Sequence, residues 1–165
     1  MKENSSIKEK VLHPEQARGA QARKQTATTP AADECAEQLD ARICTALRAA
    51  SDKKALDIVV LDLREVASFT DYFVITTGMN QRQVQAIADD VVEQLKKEGT
   101  RAARVEGYKT AEWVLVDYGD FVVHVFEEKA RRFYDLERLW RDSVRVPLPE
   151  DFANESESSL RRRQS

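Results

Sequence analysis

Few residues in this chain have side chains suited to chemistry. There are two histidines, His13 and His124, and two cysteines, Cys35 and Cys44. Two histidines cannot build a histidine-rich metal site, and His13 lies in a polar leader. His124 falls on a predicted strand, with Asp117 on the same face of a hairpin. Thr110 as nucleophile would complete a Thr–His–Asp unit. No sequence nearby supplies a nucleophile elbow or an oxyanion loop, so His124 reads as a hydrogen-bonded structural or interface histidine. Acids are abundant, 29 in all, which raises a metal-dependent transferase. Such a site holds its metals between paired acids. Asp57 and Asp62 sit five positions apart on one predicted strand and so point to opposite faces. Gly78-Met79-Asn80 opens a helix after a strand, as in nucleotidyltransferases, but no D-x-D strand follows. Phosphate-loop, G-x-G-x-x-G, C-x-x-C, H-E-x-x-H and G-x-S-x-G patterns are absent from the sequence. No catalytic set, metal site or cofactor is expected.

The cysteines lie nine positions apart on what reads as one helix over residues 34–50. Nine steps of about 100° place them on opposite faces, about 13 Å apart along the axis. That spacing predicts two reduced thiols in a cytosolic protein, neither bridged nor sharing a metal.

The elements that must position these residues occupy residues 33–149. This region carries 17 basic and 22 acidic residues, a net-acidic balance that opposes nucleic-acid wrapping and suits a basic protein partner. Residues 1–32 and 150–165 lack apolar periodicity and are expected to be disordered, the second with Arg161-Arg162-Arg163 near its end. At 165 residues the chain has room for one domain. No apolar run approaches the roughly 20 residues of a membrane span, and no h-region follows the start. A cytoplasmic location is expected.

Ala36, Leu39, Ile43, Leu47 and Ala50 have helical spacing, with Asp33 as cap. Asp57–Leu63 and Tyr72–Thr77 read as strands. Asn80 caps a second helix, with Val84, Ile87, Ala88, Val91, Val92 and Leu95 on one face and Gly99 past its end. Residues 101–106 are a weaker strand. Trp113–Tyr118 and Phe121–Phe126 form two strands around a Gly119-Asp120 turn. A last helix is expected from Lys129 to about Arg145, with Phe133, Leu136, Trp140 and Val144 on one side, stopped by Pro147 and Pro149. The order α-β-β-α-β-β-β-α predicts an α+β fold, one mixed sheet of about five strands flanked by helices.

The hairpin is the informative constellation. Alternation puts Val114, Val116, Tyr118, Phe121, Val123 and Val125 on one face, which must be core. The other carries Trp113, Leu115, Asp117, Val122, His124 and Phe126, with Glu106, Glu112, Asp120, Glu127 and Glu128 around it. Aromatics ringed by acids describe either a binding patch for a basic partner or a second core under helices, and pattern alone leaves both open.

Several segments resemble the ribosomal silencing factor, or Iojap, family. These are Thr70–Ile75 (TDYFVI), Arg82–Ala88 (RQVQAIA), Glu112–Asp120 (EWVLVDYGD), Val122–Phe126 (VVHVF) and Arg132–Trp140 (RFYDLERLW). They cover roughly residues 35–142 in family order and spacing. Asn80 departs from the Ser common in the family, and both residues cap helices. The resemblance implies a non-enzymatic factor with a fold akin to a nucleotidyltransferase lacking its catalytic acids. Such a factor binds the large ribosomal subunit through its fourteenth ribosomal protein, blocks joining of the small subunit when nutrients are short, and is often a homodimer when free. Carried over by position, the partner-binding motif falls on Trp113, Leu115, Asp117, Tyr118, Gly119 and Asp120. Tyr118 fits least, because alternation turns it to the core. Arg131, Arg132 and Arg138 are candidate contacts to ribosomal RNA or the partner, with surface solvation the plainer role. A nucleotidyltransferase-like enzyme is the alternative of a different class.

Overall fold

The computed structural model describes residues 30–149 and Phe152. The remainder of the two expected tails lies outside the described residues. Two helices, α1 (Pro30–Gln38) and α2 (Ala41–Asp52), precede strands β1 (Leu56–Asp62) and β2 (Tyr72–Gly78). Helix α3 (Gln81–Lys97) leads to β3 (Arg104–Glu106), β4 (Trp113–Asp117) and β5 (Phe121–Glu127). Two short helices, α4 (Glu128–Tyr134) and α5 (Leu136–Leu139), and strand β6 (Val144–Arg145) end the fold.

The helix expected over residues 34–50 is broken at Leu39–Asp40, and Asp33 lies inside α1 instead of capping it. Asp40 takes an extended conformation and its side chain accepts the Arg42 N–H at 2.8 Å, capping α2 afresh. The chain folds back at this break, so the 13 Å separation of a continuous helix no longer applies. Cys35 and Cys44 come within 5.9 Å at Cα and form a disulfide. This overturns the expectation of two unbridged thiols.

All six strands form one mixed sheet in the order β3-β4-β5-β2-β1-β6. The β2–β5 pair is parallel and the others are antiparallel. The crossover that makes β2 and β5 parallel carries α3 across one face. The sixth strand occupies residues expected to end the last helix. That helix stops at Asp135, whose φ of 47° is left-handed and whose N–H donates to the Arg131 carbonyl. After α5 the chain extends, and Val144 and Arg145 pair with Asp62 and Leu61. Phe133 and Val144 therefore do not share a buried stripe with Leu136 and Trp140; both are exposed.

Helix α3 follows its sequence signals closely. The Asn80 side chain accepts the Gln83 N–H at 2.8 Å, and the Gln83 side chain reaches back to the Met79 N–H at 2.7 Å. At the other end Gly99 has φ 93°, with bonds from Gly99 N–H to Lys96 and from Thr100 N–H to Leu95. Asn80→Ala is expected to cost about 1 kcal/mol of stability. A thermal melt with calorimetric enthalpy checks this.

The sheet has an apolar cluster on each side. On one side α2 and α3 pack Ile43, Leu47, Val84, Ile87, Val91 and Leu95 against Val60, Val74, Val114, Val116, Val123 and Val125. Phe152 is buried in the same cluster, just beyond the expected domain limit at residue 149. The other side is smaller. Val59, Leu61, Phe73, Ile75, Val122 and Phe126 are buried there with Leu136, and Trp113, Leu115, Ala130 and Trp140 pack at its margin. This is the division between the two hairpin faces that strand alternation predicts.

Candidate partner-binding face

The hairpin register fixes the site. Trp113 pairs with Phe126, Leu115 with His124 and Asp117 with Val122, so all six side chains project from one face. A Tyr118 N–H to Phe121 carbonyl bond closes a two-residue turn, and Gly119 takes φ 85°, which a glycine adopts without strain. The second-core alternative holds for part of this face. Short helices cover it over Phe73, Val122 and Phe126, leaving Trp113 and Leu115 half-buried at the edge.

Trp113 is set in an aromatic stack. Its ring centroid lies 4.9 Å from Phe126 and 4.7 Å from Tyr134. Its Nε1–H donates to His124 Nδ1 at 3.0 Å. That bond assigns the histidine proton to Nε2, which is buried with no hydrogen-bond partner among the described residues. Phe73 meets the imidazole edge-on at 4.4 Å. Burial pushes the His124 pKa down to about 3, against a smaller upward pull from Asp117. A neutral imidazole locked under a tryptophan is a poor general base at neutral pH.

The imagined Thr–His–Asp unit is not assembled. Thr110 is exposed and its hydroxyl donates to the Gly107 carbonyl. Asp117 is engaged in the hairpin, accepting the Gly119 N–H at 2.8 Å and Arg104 Nη2 at 3.2 Å. Asp62 pairs with Arg64 at 2.7 Å, and Asp57 stands at a β-bulge with φ 51°. Among the described residues no group of three His, Cys, Asp or Glu could hold a metal ion. None of the described helices is long and apolar enough to cross a membrane.

The other motif residues separate into two sets. Gly119 and Asp120 are exposed at the tip, where the Asp120 carboxylate meets Arg42 Nη2 at 2.9 Å. Tyr118 belongs to the core side instead. Its ring stacks on Phe121 at 4.9 Å, and burial pushes its hydroxyl up to about 12. The carried-over motif is thus presented by Trp113, Leu115, Asp117, Gly119 and Asp120, with Tyr118 supporting it from behind.

The three arginines also differ. Arg131 is a bolt inside the fold: it donates to the Asp57 carbonyl at 2.6 Å and the Thr77 hydroxyl at 2.7 Å, and it forks onto Glu137 at 3.0 and 3.1 Å. Arg132 is exposed and pairs with Glu128 at 2.9 Å. Arg138 is exposed beside Phe133, Tyr134 and Leu139 in an open cleft of about 590 Å³.

Sequence reasoning missed part of the face. Phe133 is 80% exposed, Leu139 72% and Tyr134 49%, and Tyr134 joins them to Trp113. Phe133 was expected in the buried stripe of one long helix, and the break at Asp135 leaves it outside the core; Tyr134 and Leu139 gave no periodic signal. Arg132, Asp135, Arg138, Arg141 and Asp142 line the cleft with them; on β3 and the hairpin Glu106, Glu112 and Asp120 are exposed, and Glu127 and Glu128 are half-exposed. Exposed apolar residues grouped in one cleft with charged residues at its border make this face a candidate interaction surface.

Comparison with known proteins points to one family. The family model described as "ribosomal silencing factor during starvation" matches residues 36–165. The ribosomal silencing factor of Bacillus subtilis is 45% identical over 103 residues, which is 62% of this chain and 87% of that protein. The chloroplastic Iojap protein of Zea mays is 36% identical over 123 residues, 74% of this chain and 53% of that protein. A crystal structure from Bacillus halodurans superposes with a TM-score of 0.58 at 40% identity, covering 64% of this chain and 96% of that one.

Proposed function

This chain belongs to the ribosomal silencing factor family, and from that premise we propose that it binds the large ribosomal subunit and blocks joining of the small one. The contact runs through the subunit's fourteenth ribosomal protein, and translation falls when nutrients are limiting. The protein acts by occupancy, with no reaction and no cofactor, in the cytoplasm, and pairs with a second copy when free. The binding unit is the folded domain of residues 33–149 with Phe152 seated in its core, and the binding does not require the tails outside it.

One observation carries this reading. A half-buried tryptophan meets Tyr134, which adjoins exposed Phe133 and lies in one cleft with exposed Leu139, and the hairpin that carries the tryptophan bears exposed carboxylates at Glu112 and Asp120. Buried aromatic anchors supply most of an interface's binding energy, while the charged rim selects the partner by sign. Trp113 and Leu115 are the anchors. Asp120 and Asp117 meet lysine or arginine on the partner. Arg132 and Arg138 lie on the same face and reach phosphate or acidic groups at its margin. Arg131, held within the fold, keeps α4 in place.

Asp120 tests this with little risk to the fold, since its side chain is 68% exposed. Asp120→Lys should leave the thermal midpoint close to wild type, a surface change worth within about 0.5 kcal/mol. It should weaken binding to the purified fourteenth ribosomal protein about tenfold by setting like charges together. Equal affinity of the two proteins at low salt would refute the acidic-rim contact.

A further inference from the structure

The Cys35–Cys44 bond holds an element that little else holds. Among the described side chains of α1 only Cys35 is buried; Glu34, Ala36, Glu37 and Gln38 are exposed. The helix has nine residues, a length that is marginal in water without packing. Leu39, at the break, adds one apolar anchor. Among the described residues the disulfide is therefore the main attachment of α1 to the domain.

That attachment leads straight to the hairpin tip. The chain passes from α1 through Asp40, which caps α2 and pairs with Arg42 Nη2 at 2.8 Å. The same Nη2 reaches Asp120 at 2.9 Å, and the guanidinium lies over the Phe121 ring, 5.3 Å from its centroid. The Asp40–Arg42–Asp120 clasp thus joins the start of α2 to the turn between β4 and β5.

We propose that the Cys35–Cys44 disulfide is a thiol-sensitive latch on the partner-binding face. Closed, it holds α1 on α2 and keeps Asp120 engaged by Arg42. Opened by a dithiol reductant, it releases α1, loosens the Asp40 cap and frees the Asp120 carboxylate for a basic partner. This deepens the reading of the hairpin as the ribosome contact and rests on it for the last step.

The chemistry is thiol–disulfide exchange. One thiolate of the reductant attacks Sγ of either cysteine and displaces the other as thiolate. The second thiol of the reductant then closes its own disulfide and releases the second protein sulfur. Two electrons pass to the protein, and the two protons lost by the dithiol end on Cys35 and Cys44. The sulfurs belong to residues 1% and 2% exposed, so attack follows local opening of α1, which few buried contacts oppose.

The test uses the full chain, oxidised, reduced with dithiothreitol, and as the Cys35→Ser/Cys44→Ser variant. Oxidised protein should show no thiol reactive to N-ethylmaleimide in denaturant. Amide hydrogen exchange over residues 34–42 should speed up about tenfold or more in the reduced and variant forms, with α3 unchanged. Large-subunit affinity should rise about three- to fivefold on reduction, the scale of one exposed ion pair. Arg42→Ala in the oxidised state should reproduce that rise. Free thiols in the oxidised protein, or exchange that ignores the reductant, would overturn the latch. Faster exchange with unchanged affinity in both reduced wild type and Arg42→Ala would overturn its link to the hairpin tip. Absence of subunit binding in every state would refute the partner reading of the hairpin and leave the exchange result to decide whether the latch opens.

Discussion

Trp113→Ala should weaken binding to the large subunit by about 2 kcal/mol or more, roughly thirtyfold, and should also destabilise the fold. The strand pattern leaves open whether Trp113 is a surface anchor that folding can spare or a core residue. Its surroundings show that it also supports the fold. The ring stacks on Phe126 and lies tilted against Tyr134, and its Nε1–H supplies the hydrogen bond to buried His124. Truncation removes those contacts and leaves the His124 ring without that partner, for a loss of about 2–4 kcal/mol. The two effects separate with Trp113→Phe. Phenylalanine keeps most of the stacking and loses the hydrogen bond, costing about 1 kcal/mol of stability. Chemical denaturation gives the stability change. Affinity measured well below each variant's melting temperature gives the binding change. A Trp113→Ala protein that is folded and binds like wild type would remove Trp113 from the interface.

The second large effect is on pH dependence and comes from His124. Its folded pKa lies near 3, below the ordinary 6.5 of an unfolded histidine. Above about pH 6.5 both states hold the ring neutral, so its contribution to stability is fully present. As pH falls below 6.5 the unfolded chain takes a proton that the folded chain refuses. Stability is then lost at about 1.4 kcal/mol per pH unit, down toward the folded pKa. Between pH 6.5 and 5 the loss should reach roughly 2 kcal/mol. Asp40 and Asp62, held below their usual value by hydrogen bonds from Arg42 and Arg64, lose their contributions only at more acid pH, below the ordinary aspartate value of 3.8. His124→Asn keeps an acceptor for the Trp113 indole and removes the titration. Urea midpoints at several pH values should show a clear slope in wild type and a nearly flat line in the variant. Parallel slopes would show that His124 takes up protons in the folded state.

How much of this was legible in the sequence depended on which physical rule set each element. Strand alternation in Trp113–Tyr118 and Phe121–Phe126 separated the two faces correctly, because a period of two leaves no freedom once the turn is placed. Helix α3 was legible at both ends, since Asn80, Gln83 and Gly99 each meet a backbone requirement there. The breaks were not. Asp40 in an N-cap and Asp135 in a left-handed bend look, in sequence, like two more surface aspartates on long helices. One hid the disulfide, the other hid the exposure of Phe133 and Val144. Arg131 was illegible for a related reason: its partners Asp57 and Thr77 are more than 50 residues away. Tyr118 was placed correctly by alternation and less well by its position in the family motif.

Co-sedimentation with isolated ribosomal subunits tests the central claim most directly. Purified protein is mixed in turn with large and with small subunits at one ionic strength and spun through a sucrose cushion. The account predicts recovery with large subunits alone, at about one protein per subunit, with strongly reduced recovery for Trp113→Ala. Equal recovery with both subunits, or with neither, would contradict it.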